Sequence, residues 1–381
     1  MSSQEPIHHL YIHVPYCDGK CYYCAFYSEQ GSDPAYGELP GVELELLQAS
    51  GLKLELETLY FGGGTPVMLR EEGLGRLIRE LESRVPLSRV YEWSVEVTPQ
   101  LMSVTLASAL RGYGVNRISM GVQCFDDQVL AAMGRRHSVA DTLAALGAIK
   151  SAGFENVGID LIAGLPGVDE DGWRESLLRA VALDVTHISV YALMVDEGSV
   201  LADMVRRGVT LPNDEEQLCQ LAVAEEILTA AGYGRYEISN YARPGYECRH
   251  NLAYWHGNDY VGLGPAAASR IGRQRRNNMA SVAAYGAALG RGVLPPVEEE
   301  TVTVDDDLTE RFVFKLRLAE GCNIGEFLRK YPQAGHLAKR WGERLKRLRG
   351  SGVVMEGEDG GWRLTRRGCE VADTVCGEMY V

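Results

Sequence analysis

YIHVPYCDGKCYYCAF, residues 11–26, places three cysteines within eight positions directly after an alternating run of β-branched and aromatic residues. Leu10–Val14 reads as a strand, and it leads into the spacing Cys17-x3-Cys21-x2-Cys24, so one loop can turn three thiols toward one centre. Thiolates are soft ligands suited to iron–sulfur clusters or zinc. A four-iron cluster normally takes four cysteines, so three leave one iron open to an outside ligand. The alternative at this spacing is a structural zinc site completed by a residue such as His13.

Working outward, short strand-like runs alternate with amphipathic helical stretches as far as Leu193. The strand candidates are Leu10–Val14, Leu56–Phe61, Trp93–Val97, Arg117–Val122, Val157–Ile162 and His187–Ala192. The helical segments include Glu72–Ser83, Leu101–Arg111, Ser138–Ala152 and Glu170–Leu183. Strands alternating with helices predict a parallel sheet with crossover connections, here an α/β fold forming a partial (β/α)6 barrel over residues 1–210. Barrels of this kind bind ligands at the carboxyl ends of their strands. Those ends carry the cysteine triplet, Gly62-Gly63-Gly64-Thr65-Pro66, Glu96, Gln123, and Asp160 followed by Gly164-Leu165-Pro166. Residues 211–300 read as a connector: a helix over Asp214–Ala231, then an aromatic and glycine-rich stretch closing over one side of the barrel, with a basic loop at Arg270–Arg276. In 301–381, three helical stretches precede a hairpin at Val353–Met355 and Trp362–Leu364, which predicts a small winged-helix-like α+β domain.

Composition narrows the function classes. A formal net charge of −14 removes the main source of affinity for nucleic acid, so no nucleic-acid partner is expected. The basic run from Lys339 to Arg349 sits in a tail of nearly balanced charge and reads as a solvated face or a protein-docking surface. The N-terminal residues lack a signal-peptide pattern and no window approaches 18 apolar residues, so no integral membrane segment is expected and the cytoplasm is the expected location. Nine cysteines, only three of them clustered, suit a reducing compartment with a metal site rather than a disulfide framework.

The cysteine spacing, with Tyr23 just before the third cysteine, and the glycine turn one β/α unit later resemble the radical S-adenosylmethionine (SAM) superfamily. Adding Tyr11-Ile12-His13-Val14-Pro15, Gly121-Val122-Gln123 and Asp160 to Pro166, the resemblance covers nearly the whole chain and is to the oxygen-independent coproporphyrinogen III oxidase-like group with its relatives, the HemW haem chaperones. It implies a [4Fe–4S] cluster on Cys17, Cys21 and Cys24, an electron donor for it, and SAM contacts from Tyr11, Tyr23, Gly63, Gly64, Thr65, Glu96, Gln123, Arg135 and Asp160. The dehydrogenase carries a further cysteine two residues after the third ligand, where this chain has Phe26, and an N-terminal extension that this sequence does not show. Coproporphyrinogen oxidation is therefore not expected, although SAM cleavage is.

His250-Asn251-Leu252-Ala253-Tyr254-Trp255 matches the HNxxYW motif that the resemblance associates with haem binding. Neutral imidazole is a good axial ligand for haem iron, and Tyr254 and Trp255 could offer flat apolar surface. Arg270, Arg273, Arg275 and Arg276 could meet haem propionates, or form a solvated charged loop. The expectation is a haem chaperone that passes haem to an acceptor protein, with a radical SAM enzyme acting on a tetrapyrrole as the alternative, and a zinc-stabilised interaction protein as a third reading.

Overall fold

The computed structural model describes residues 5–380. In β1 (Ile7–Val14), Leu10, Ile12 and Val14 lie on one face and are fully buried in the apolar core, while His9, Tyr11 and His13 lie on the other. Burial on both faces is what a parallel strand between a helical layer and a barrel interior requires. Two short strands, β2 (Tyr16–Cys17) and β3 (Glu29–Gln30), pair with each other within the cysteine loop. Then follow α1 (Leu39–Ala49), β4 (Leu54–Gly63), α2 (Arg70–Glu82), β5 (Glu92–Val97), α3 (Val104–Tyr113), β6 (Arg117–Gln123), α4 (Asp127–Ala132), α5 (Val139–Ser151), β7 (Asn156–Ala163), α6 (Glu170–Ala182) and β8 (His187–Ala192).

All six predicted strands are present, within a few residues of their expected bounds, and pair in parallel in the order β1-β4-β5-β6-β7-β8. Local signals set the helix ends. Ser138 and Asp141 form a reciprocal capping box at the start of α5, and Gly114, at φ 103°, ends α3 in the left-handed conformation.

The remainder continues through α7 (Val200–Arg206), α8 (Asp214–Ala230), β9 (Gly234–Arg235), β10 (Asn240–Ala242), α9 (Arg249–Trp255), β11 (Tyr260–Leu263), β12 (Ala268–Ile271), β13 (Gln274–Asn278), α10 (Val282–Leu289) and β14 (Val297–Thr301). These residues do not simply close over one side of the barrel. They extend its sheet at both edges, giving a 12-stranded order β14-β13-β12-β11-β1-β4-β5-β6-β7-β8-β10-β9. Unpaired strand edges expose backbone donors and acceptors, and these short strands cover both.

The tail comprises α11 (Val304–Arg317), β15 (Cys322–Asn323), α12 (Ile324–Lys330), α13 (Gly335–Gly350), β16 (Val354–Glu356), β17 (Gly361–Leu364), α14 (Arg366–Glu370) and α15 (Ala372–Gly377). Its three-stranded antiparallel sheet has the expected hairpin plus β15, which is too short to read from sequence. A second core fills it, centred on Phe312 and Trp341, whose rings stack 4.4 Å apart. Among the described residues no helix is long and apolar enough to cross a membrane.

The Arg270–Arg276 segment is a β-hairpin rather than a solvated loop, and three of its four arginines are held by acids. Arg270 is buried and its guanidinium lies 2.9 Å from Asp307. Arg275 reaches Asp307 at 3.1 Å and also pairs with Glu310, and Arg276 is buried facing Glu299. The carboxylates of α11 therefore occupy the guanidinium groups that could otherwise have met propionates.

Candidate functional site

The glycine turn at the end of β4 is hydrogen-bonded to the start of the cysteine loop. The Gly64 amide donates to the Val14 carbonyl at 2.8 Å and the Thr65 amide to the Tyr16 carbonyl at 2.7 Å. A Cβ on Gly64 would sit 2.6 Å from the Tyr16 carbonyl oxygen, and one on Gly63, at φ 102°, would sit 2.6 Å from the His13 ring. Only glycine allows this close approach. Thr65 Oγ1 consequently stands 3.8 Å from Cys17 Sγ.

From the other side, the Tyr22 amide donates to the Met133 carbonyl at 3.0 Å, which ties the cysteine loop to the turn carrying Arg135. Arg135 places Nη1 3.4 Å from Cys21 Sγ and donates from Nη2 to the Gly121 carbonyl at 2.5 Å. Cys17, Cys21 and Cys24 are free, half-buried thiols. Burial raises the pKa values of Cys17 and Cys24, and the neighbouring cysteines add to the rise. Tyr23 is half-buried beside Arg135 and Cys21.

Among the described residues no three His, Cys, Asp or Glu side chains converge on a point that would hold one metal ion. Zinc at about 2.3 Å from each sulfur would need that convergence. His13, the expected fourth zinc ligand, is buried and engaged at both ring nitrogens: Nε2 with the Tyr27 carbonyl at 3.0 Å and Nδ1 with the Tyr11 hydroxyl at 3.3 Å. His13 is thus held within the fold at both ring nitrogens. Three soft thiols on one loop, an adjacent cation and a glycine cradle suit a cluster with an open corner.

Further into the barrel, Glu96 accepts a hydrogen bond from the Tyr60 hydroxyl at 2.8 Å. Burial pushes its pKa up to about 7, Asp160 adds to the rise, and the Tyr60 hydrogen bond opposes it. Asp160 is also raised by burial, against hydrogen bonds from Ser189 and Ser119 and the charge of Arg117. Tyr11 stacks on Tyr60 with ring centroids 6.1 Å apart, and its pKa is raised by burial and by Glu96. Gln123 adopts φ 72°, a left-handed conformation that is strained for a non-glycine residue, where the β6–β7 register shifts. Tyr11, Tyr23, Gly63, Gly64, Thr65, Glu96, Gln123, Arg135 and Asp160 therefore surround the carboxyl ends of β1 and β4–β7. Two half-buried carboxyl groups and one guanidinium there suit a zwitterionic, polyhydroxylated ligand.

Sequence reasoning missed Tyr60, Arg117, Ser119 and Ser189, which hold those carboxyl groups. Arg117 offered a signal, since a charge within an apolar strand needs a buried partner.

His250 lies deeper in the barrel, next to Tyr60. It contacts Thr58, the fifth residue of β4, and Glu92, the first of β5, so it plugs the amino end of the barrel. Five residues of strand, about 16 Å at 3.3 Å each, separate Thr58 from the Gly63 turn. His250 is 1% exposed, with Nδ1 2.7 Å from Thr58 Oγ1, Nε2 2.7 Å from the Tyr254 hydroxyl, and its ring stacked on Tyr60. Burial, followed by His9 and Arg117, lowers its pKa to about 3, so it is neutral. Trp255 packs on Phe314 and under Arg317 of the tail.

With this geometry in place, comparison with known proteins gives a consistent picture. The family model described as the radical SAM superfamily matches residues 11–180. The heme chaperone HemW of Bacillus subtilis (strain 168) is 33% identical over 374 residues, covering 96% of this chain and 97% of that protein. The heme chaperone HemW of Mycobacterium tuberculosis (strain H37Rv) is 36% identical over 324 residues, 82% of each chain. The solved structure of coproporphyrinogen III oxidase (HemN) from Escherichia coli, a radical SAM enzyme, superposes with a TM-score of 0.84 over 99% of this chain and 91% of that one, at 24% identity, which establishes a shared fold.

Proposed function

The chain belongs to the HemW family within the radical SAM superfamily, and from that premise we propose that it is a cytoplasmic haem chaperone which binds a [4Fe–4S] cluster, SAM and haem and hands haem to an acceptor protein. The observation that carries this reading is likeness to HemW proteins over nearly the whole chain, combined with Phe26 where the resemblance puts an additional cysteine in the dehydrogenase.

Cys17, Cys21 and Cys24 would hold three corners of the cluster. A cluster held there would supply one-electron reducing power toward SAM, with an outside donor needed to renew it. Arg135 balances negative charge next to the thiolates and suits the SAM carboxylate, while Glu96 and Asp160 suit its amino or ribose groups. Gly63, Gly64 and Thr65 present backbone groups without steric hindrance. Tyr11, Tyr23 and Gln123 complete the enclosure and exclude water. For His250 to ligate iron through Nε2, that nitrogen must leave the Tyr254 hydroxyl, while Nδ1 can keep its hydrogen bond to Thr58.

Anaerobic reconstitution should yield about four iron per chain with a brown charge-transfer band. Uptake of zinc without iron would select the interaction-protein reading. Haem added to the purified chain should give a Soret shift. The HemN-like fold keeps one alternative in play, a radical SAM enzyme acting on a tetrapyrrole. Incubation with SAM, reductant and coproporphyrinogen should give no protoporphyrinogen, and turnover would favour the alternative.

A further inference from the structure

Tyr60 joins two regions that look separate along the chain. It lies on β4 between Thr58 and the Gly63 turn, paired with Tyr11 of β1. Its hydroxyl donates to Glu96 Oε1 at 2.8 Å, and its ring stacks on the His250 imidazole with centroids 5.2 Å apart and planes at 28°. One buried, rigid side chain thus touches both a carboxyl group of the expected SAM site and the histidine of α9.

Gly62 keeps this junction tight. A Cβ there would sit 3.0 Å from Tyr60 Cε1 and 3.1 Å from the Glu96 carboxyl carbon, so a larger residue would press the two apart. Tyr11 stacks on Tyr60 as well. Asp160, Arg117 and Cys248 are the other titratable groups that act on Tyr60, and among the described residues only Glu96 hydrogen-bonds its hydroxyl.

His250 is held at Nδ1 by Thr58, at Nε2 by the Tyr254 hydroxyl and on its face by Tyr60, with His9 edge-on at 6.3 Å. A ring anchored at Nδ1 keeps the orientation of a metal-binding imidazole, so only the Tyr254 contact has to open. That contact is a two-state element, made or released. A ligand that draws the Glu96 carboxylate away from Tyr60 removes the hydrogen bond fixing the ring against the imidazole, and thereby favours release.

We infer that Tyr60 is a positioning residue that couples SAM to haem: SAM takes the Glu96 carboxylate from the Tyr60 hydroxyl, the ring loosens against His250, and Nε2 passes more readily from Tyr254 to haem iron. The inference rests on the haem-chaperone reading, with SAM at Glu96 and haem at His250, and adds the linkage between the two ligands.

The test is anaerobic hemin titration of the cluster-reconstituted full chain, followed at the Soret band with and without SAM, and with no reductant so that SAM is not consumed. In the wild type SAM should tighten hemin binding about fivefold or more, and hemin should tighten SAM binding by the same factor, because such coupling is reciprocal. Tyr60→Phe keeps the ring and removes the hydroxyl. Without SAM it should bind hemin as tightly as the SAM-loaded wild type, and SAM, shown by equilibrium dialysis to bind, should add nothing further. A full SAM effect in Tyr60→Phe, or wild-type hemin affinity that SAM leaves unchanged or weakens, overturns the coupling while leaving the haem reading standing. The hemin effect on SAM affinity in the wild type needs no variant, and its absence overturns the coupling too. No Soret change in the wild type under either condition overturns the haem reading itself.

Discussion

Glu96 shows how one residue can make the site depend on pH. Its folded pKa of about 7 lies above the carboxyl value of 4.5 because burial disfavours the charged form. The folded state therefore holds the proton more tightly, and the stability gained is fully present below 4.5 and lost as pH rises through 7. Glu96→Gln fixes the neutral form and can still accept from Tyr60. The unfolding free energy of the SAM-free variant should gain on wild type between pH 5 and 8, by about 3 kcal/mol if the whole shift is realised. Parallel denaturation curves at the two pH values check this, and a pH-independent difference would contradict it. His250 illustrates the other side of residue-level reading. The motif makes it a ligand candidate, but whether a ring nitrogen is free depends on Thr58, 192 positions away in the chain.

Among the elements, the β4 glycine turn and the cysteine loop act as one unit. The atoms that a Gly64 Cβ would strike are backbone atoms of Val14 and Tyr16, which cannot rotate aside. Gly64→Ala should cost about 1–3 kcal/mol, and reconstituted protein should retain less than half the wild-type iron. Wild-type iron content and an unchanged unfolding midpoint would show that the loop tolerates displacement. Helix α9 is a second such unit. The Glu92 carboxylate accepts from the Arg249 and His250 amides at 2.9 and 3.0 Å and caps the helix at the barrel floor.

For the whole molecule, barrel and tail have separate apolar cores joined by a charged lock. Asp307 receives Arg270, Arg275 and Arg311 at 2.9, 3.1 and 2.8 Å, and Arg270 is almost fully buried. Asp307→Ala leaves buried guanidinium charge poorly paired, a loss of about 3–5 kcal/mol. It should appear as an earlier unfolding transition and as new proteolysis between Arg291 and Thr303, and a single unchanged transition would show that apolar contacts alone hold the tail. The sequence by itself determined the six parallel strands, their helices and the three-thiol loop, because period-two and helical patterns, caps and cysteine spacing are local properties. The tertiary structure alone decided that residues 211–300 complete both sheet edges, that the hairpin arginines pair with α11, and that His250 is sealed in the barrel floor. Each of these depends on which distant segment becomes a neighbour, and that follows from long-range strand pairing and the desolvation of charge, which no local window encodes.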